Sequence, residues 1–274
     1  MKEFLKLDNK LILKLKIKPI SPLCIKLGTD KNAKKADATS YLLTTESYPE
    51  LKIETGLERK GEIYIPGSTL KGMFRDRFIE MSETEEEIEK LFGFSKDDGS
   101  SFKGRIFLQD AYFTDENKRK EFYNDEEGLK KFIRKRAITP IDHFSGKVDV
   151  PLQFEYTKEN FTTEIIVNNI LEDEFQKIYF ILRDSILGEI RIGNSKTRGF
   201  GQIAFEIEEL RFDNYIGKNE FFNNLKEYFI LDEKKSLKIG NSYLYETMYL
   251  KDEYKKINLE KPNKFILALF REVK

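Results

Sequence analysis

From Leu11 to Lys18 the chain alternates in character, with Leu11, Leu13, Leu15 and Ile17 on one side and Lys14, Lys16 and Lys18 on the other. A period of two suits a β-strand with one buried face. Pro19 and Pro22 end the run, because proline cannot donate into a ladder. A half-buried strand needs neighbours and a covering layer, and the remaining sequence must supply both.

Gly28 to Lys60 is polar and weakly periodic with several turn residues. A stretch of that length without clear elements generally has a functional role. Glu62 to Ile65 reads as a short strand, and Pro66-Gly67-Ser68 turns the chain. Ser68 or Thr69 is expected to cap a helix through Leu70, Met73, Phe74 and Phe78, with Glu83 to Glu89 as its acidic end. Arg105 to Phe113 reads as a strand, and residues 116–136 as charged helix or loop. Ile138 to Val150 is expected in a hairpin or extended loop, and Leu152 to Tyr156 with Thr162 to Val167 in a second hairpin. Apolar positions from Phe175 to Leu187 fit a helix ended by Gly188. A Gly-rich loop, Gly193 to Gly201, leads into strand Gln202 to Glu208. Strand, helix, strand, then strand, helix, strand is the ferredoxin-like order, an α+β plan shared with RNA-binding sheet domains. Residues after about Asp213 repeat none of it and interleave Lys with Tyr and Phe.

Composition narrows the setting. Lys+Arg and Asp+Glu are both 48, so a general nucleic-acid binder is disfavoured, although a neutral total can hide one basic face. Cys24 is the only cysteine, which excludes an internal disulfide and a cysteine zinc cluster; a buried structural thiol is expected. Met1 to Ile17 lacks the pattern of a secretion signal, and no apolar run approaches the ~20 residues of a membrane span. A soluble, cytoplasmic protein is the expectation.

Two segments carry candidate chemistry. In Ile65 to Gly72, a Pro-Gly turn opens a helix whose first N–H groups suit an anion such as phosphate. Ser68 and Thr69 add hydroxyls, and Lys71 and Arg75, four apart, share a helix face. The competing reading is a capped helix with solvated cations. In Gly193-Asn194-Ser195-Lys196-Thr197-Arg198-Gly199-Phe200-Gly201, glycines flank two cations and two hydroxyls, as a phosphate-cradling loop would. It matches neither a P-loop nor a dinucleotide fingerprint, and a plain connection is the competing reading.

Taken together, Ile-Pro-Gly-Ser-Thr-Leu-Lys-Gly-Met-Phe-Arg from Ile65 and the Gly-rich loop resemble signature blocks of the RAMP superfamily. Leu91-Phe92-Gly93 with Gly104 to Ala111, and Ile141-Asp142-His143-Phe144-Ser145-Gly146, resemble two further blocks in the expected order. The spacing is most similar to the backbone subunit of type III, Csm-like CRISPR effector complexes. The resemblance implies a ferredoxin-like (RRM-like) RAMP core over residues 1–213, a thumb-like hairpin at about 136–161, and a C-terminal extension, 214–274. It implies partners: a guide (CRISPR) RNA, a target RNA, further copies of the chain and other RAMP subunits, and a large effector subunit. Ser68, Thr69, Lys71, Arg75, Asn194, Ser195, Lys196, Arg198, His143 and Phe144 would contact RNA, the last two from the thumb.

Active members of the family carry a loop aspartate for divalent-metal-dependent cleavage of target RNA. Here the corresponding position holds Ser47, between Glu46 and Pro49. Asp37, Glu46 and Asp30 are the candidate acids, with Glu50 nearby, and magnesium or manganese is implied only if the subunit is catalytic. His143 replaces the usual arginine; it is a candidate general base or a stacking residue. A non-catalytic scaffold therefore stays open, as does a repeat-processing endoribonuclease. The helix start, and the long segment following the Gly-rich loop, weigh against the last.

Overall fold

The computed structural model describes residues 6–26, 39–40, 42, 44–47, 59–82, 84–124, 130–138, 152–215, 220–240 and 242–270. The opening pattern forms β1 (Asn9–Pro19), whose Leu11, Leu13, Leu15 and Ile17 are fully buried. The polar stretch that follows contains strands after all: β2 (Thr39–Ser40), β3 (Thr44–Ser47) and β4 (Arg59–Ile63). β3 and β4 pair antiparallel, with buried Thr44 opposite buried Ile63, a polar-apolar match that shows no period in the sequence.

Helix α1 (Gly67–Met81) buries Leu70, Phe74 and Phe78, each one helical turn apart. It ends where Ser82 turns extended, so the acidic run is a separate helix, α2 (Glu85–Phe92), and not the end of α1. Glu85, Glu86 and Glu87 in the first turn of α2 suit its positive N-terminal dipole, while Ile88, Leu91 and Phe92 turn inward. β5 (Gly93–Ser95) and β6 (Ser101–Lys103) form a small hairpin. The expected strand from Arg105 is divided into β7 (Ile106–Leu108) and β8 (Tyr112–Phe113), then α3 (Glu116–Asn124) follows.

β9 (Arg134–Ile138) and β10 (Leu152–Tyr156) pair antiparallel, Ile138 facing Leu152, and residues 139–151 join them. β10 was expected to pair with the next strand, β11 (Phe161–Asn168), and does not. Its buried Phe154 and Glu155 commit it to β9 and β2, whereas the alternating buried residues of β11 face the main core beside β1. After β11 come α4 (Glu172–Leu187) and β12 (Ile203–Tyr215). Gly188, at φ 85°, closes α4 as the left-handed cap that the sequence suggests.

The main sheet contains the order β12-β1-β11-β7, with every adjacent pair antiparallel. α1 links β1 to β7 and α4 links β11 to β12, which is the ferredoxin-like arrangement. Buried Arg105 joins the two halves by pairing with Glu174 at the start of α4 and donating to the Asn169 carbonyl.

The chain beyond Asp213 stays in the same sheet. α5 (Glu220–Leu225) precedes β13 (Phe229–Leu231), β14 (Leu237–Ile239) and β15 (Ser242–Leu250), and β15 pairs along β12. α6 (Asp252–Lys255) and α7 (Lys264–Leu269) complete the described chain. Phe222, Phe229, Met248, Phe265 and Leu269 belong to the one hydrophobic core. Among the described residues no helix is long and apolar enough to cross a membrane.

Candidate nucleic-acid interface

The loop from Ile190 to Gly201 is latched to the segment leaving β1. Asn194 N–H donates to the Cys24 carbonyl at 2.8 Å, and Gly201 N–H to the Pro22 carbonyl at 2.8 Å. Gly201 sits at φ 78°, and a Cβ there would lie 1.9 Å from the Ile192 carbonyl oxygen, so only glycine fits. Ser195, at φ 58°, starts a 3-10 turn over Lys196–Arg198 that leaves Lys196, Thr197 and Arg198 exposed. The Ser195 N–H is already taken by the Asn194 side chain at 2.8 Å.

This loop and α1 face one another across an open groove of about 700 Å³. Ser68, Thr69 and Gly72 line it from the helix, Asn194 and Lys196 from the loop. Two distant motifs thus meet because β1 and β12 are adjacent strands. Lys26, Arg191 and Lys196 give one wall its cations, and none of the three has a carboxylate partner among the described residues. Sequence reading missed Lys26 and Arg191; the alternation of Glu189, Ile190, Arg191 and Ile192 was the available signal. Both walls are mixed in charge: the helix supplies Asp76, Arg77 and Glu80, and the loop side sets Glu189 beside its cations.

Arg77 also lines the groove but is committed elsewhere. It donates to Asp184 at 2.6 Å, to Glu80 at 2.6 Å and to Glu189 at 3.4 Å. Burial works against its charge, yet the Asp184 bond and the three carboxylates together raise its pKa. Asp184, buried, also accepts from Arg183, so this network pins α1 to α4 beneath the groove.

Lys71 and Arg75 do not line the groove. Both are partly buried on α1, and burial and then the neighbouring Arg75 charge lower the Lys71 pKa. Ser195 and Arg198 likewise stay out of its lining. The expected side-chain cap by Ser68 or Thr69 is also not what forms. Gly67 N–H donates to Asp110 Oδ1 at 2.7 Å, and Thr69 N–H to the Pro66 carbonyl at 2.9 Å. The chain's own carboxylate therefore occupies the helix end, and the anion-binding features move to the side of α1. Gly72 is open there: beyond its chain neighbours and its own helix backbone, nothing lies within 4 Å of the position a Cβ would take.

The hairpin base made by β9 and β10 rises beside the same loop. Phe200, fully buried, packs against Phe154 at 5.5 Å and Tyr156 at 6.3 Å, and the Arg136 guanidinium lies 5.4 Å from its ring centre. His143 and Phe144 fall outside the described residues, as do Asp30, Asp37 and Glu50. Glu46 lies on β3 with its main chain opposite Lys60, and Ser47 opposite Arg59. Among the described residues no cluster of three or more acids, histidines or cysteines is placed to hold a metal.

A family model, the RAMP superfamily, matches residues 16–206. The chain belongs to the RAMP superfamily. The match runs from the end of β1 to the first part of β12 and so includes both walls of the groove. No curated protein matches the RAMP chain in sequence. Among solved structures it is similar to a chain in the cryo-EM structure of the Type III-B Cmr-beta bound to cognate target RNA, at 19% identity and a TM-score of 0.47. That similarity covers 75% of this chain and 61% of the other, so this RAMP protein aligns with less than two thirds of its neighbour's length.

Proposed function

We propose that this RAMP protein is a guide-RNA-binding backbone subunit of a type III CRISPR interference complex. The observation that carries the reading is the groove, where Lys26, Arg191 and Lys196, without a carboxylate partner among the described residues, line the space opposite an open helix flank at Gly72. A phosphodiester backbone fits such a wall, since phosphate contacts supply affinity without sequence preference. Its partners in this reading are the guide RNA, a paired target RNA, further copies of the chain, other RAMP subunits and a large effector subunit.

Purification followed by sequencing of bound RNA tests the reading; repeat-derived guides are expected, and a random RNA population would overturn it. Lys196→Ala should weaken binding for all sequences alike and reduce the salt slope by about one. Lys71→Ala is the contrasting variant, because Lys71 stands outside the groove lining.

Target cleavage is the second reading, favoured by the place of Glu46 on a hairpin that runs directly into α1. An assembled complex given magnesium or manganese should then cut paired RNA at regular intervals and stop with EDTA. Glu46→Ala should abolish cutting with target binding intact, as expected of a group acting on the transition state. Cutting that survives replacement of Asp30, Asp37, Glu46 and Glu50 would put the site elsewhere. A wild-type complex that never cuts would identify the subunit as a scaffold, with Ser47 as the simplest cause.

A further inference from the structure

The outer face of the sheet changes character along its length. Near the groove it is polar, with Lys14 paired to Glu208 at 3.6 Å and Lys18 to Glu206. At the far end of β12 it becomes aromatic. The register sets Arg211 opposite Tyr249, Asp213 opposite Thr247, and Tyr215 opposite Tyr245, and directly opposed residues share a face. On the outer edge Ile230 opposes Tyr249, Leu237 opposes Tyr245, and Lys238 opposes Tyr243. Tyr243, Tyr245 and Tyr249 thus stand on one face of a single strand. Tyr215 packs beside Tyr245 at 4.8 Å. Ile230 and Leu237 widen the strip and are 58% and 56% exposed.

Cations lie over these rings. Lys235 Nζ is 5.1 Å from the Tyr249 ring centre and Lys238 Nζ is 5.5 Å from that of Tyr243. The two carboxylates of the strip are already engaged. Asp213 accepts from Thr247 Oγ1 at 3.0 Å and lies 3.4 Å from Arg211, while Asp232 accepts from the Lys234 N–H at 3.1 Å.

We propose that this strip is a stacking platform for single-stranded RNA, distinct from the groove. Side chains two apart on a strand are separated by about 6.6–6.8 Å. That is twice the ~3.4 Å rise per nucleotide of a stacked strand, so the tyrosines match bases drawn apart. Phenol rings accept any base by stacking, and the neighbouring cations meet the phosphates. Lys235 and Lys238 sit on flexible stems and can leave the ring faces for phosphate as bases arrive. The groove lies where Pro19 pairs with Ile203, and the platform where Asn9 pairs with Asn214. The two sites are therefore roughly 30 Å apart along the ladder, and RNA on the platform is a different stretch from that in the groove.

The test uses full-length protein and a single-stranded uridine oligonucleotide carrying a photoreactive base, followed by peptide mapping and by anisotropy titration. Crosslinks to residues 243–249 are expected in the wild type and equally in Lys196→Ala, which separates this claim from that of the groove. In the Lys196→Ala background, Tyr245→Ala with Tyr249→Ala should weaken binding about tenfold or more with an unchanged salt slope. Tyr249→Phe should bind as the parent does, and Lys238→Ala should lower the slope by about one. Crosslinks confined to the groove segments would overturn the platform. So would folded alanine variants of unchanged affinity, including variants that lose only self-association, which would make the strip a protein contact. If the alanine variants do not fold, the wild-type crosslink map decides alone.

Discussion

Gly72 lies inside α1, where glycine costs about 0.5–1 kcal/mol relative to alanine. It is exposed, lines the groove and has nothing beyond its chain neighbours and own helix backbone within 4 Å of a built Cβ, so neither packing nor positive φ requires it. In the proposed RNA-binding reading, close approach of a phosphodiester backbone is what the missing side chain serves. Gly72→Gln, with a good helix former, should raise the unfolding free energy by up to about 1 kcal/mol in denaturant titration. The same variant should weaken RNA binding by an order of magnitude; unchanged affinity would remove Gly72 from the interface. Cys24 shows a different kind of residue-level constraint. Burial, with Glu155 adding and Lys26 opposing, pushes its thiol from 9.0 up to about 11. Its folded pKa is above its unfolded one, so its contribution to stability is complete below pH 9 and is lost as pH rises through about 11. At pH 8 a thiol reagent should label the native protein slowly and the denatured protein at once. Fast native labelling would contradict the buried thiol that the sequence suggests.

At the scale of elements, sequence signals worked where one element settles its own fate. β1 and the apolar faces of α1 and α4 follow local periodicity, and Gly188 follows the rule for helix ends. They failed where the deciding partner is remote. The cap of α1 is Asp110, which is 43 residues from Gly67, so Ser68 and Thr69 were the wrong local choice. Glu174 is another remote tie: it receives Arg105, at 8% and 10% side-chain exposure respectively, and its Oε2 accepts from the Leu171 N–H at 3.0 Å. Breaking one side of such a buried pair leaves the other charge without compensation. Glu174→Ala should cost about 3–5 kcal/mol in equilibrium unfolding, and Arg105→Met combined with Glu174→Leu should recover most of it. A loss below about 1 kcal/mol for the single variant would mean that the pair is solvated.

For the whole molecule, the C-terminal residues test what counts as one folding unit. β15 covers the edge of β12, and Phe222, Phe229, Phe265 and Leu269 fill the same core as β1. Truncation after Tyr215 would bare an apolar surface and a long strand edge, both routes to association. The truncated chain should aggregate or lose its cooperative melt, whereas a soluble fragment with a sharp transition would make residues 216–274 a dispensable addition. The sequence by itself determined the ferredoxin-like order, the family and the two motifs that face each other. Each depends on local periodicity or on contiguous residues, which the linear chain displays directly. Only the tertiary structure decided that Lys26 and Arg191 join Lys196 in the groove lining, that Lys71 and Arg75 stand outside that lining, and that the C-terminal tyrosines share one face. Those outcomes depend on strand neighbours and on the rotation of α1 about its axis, and both are set by core packing among residues far apart in the chain.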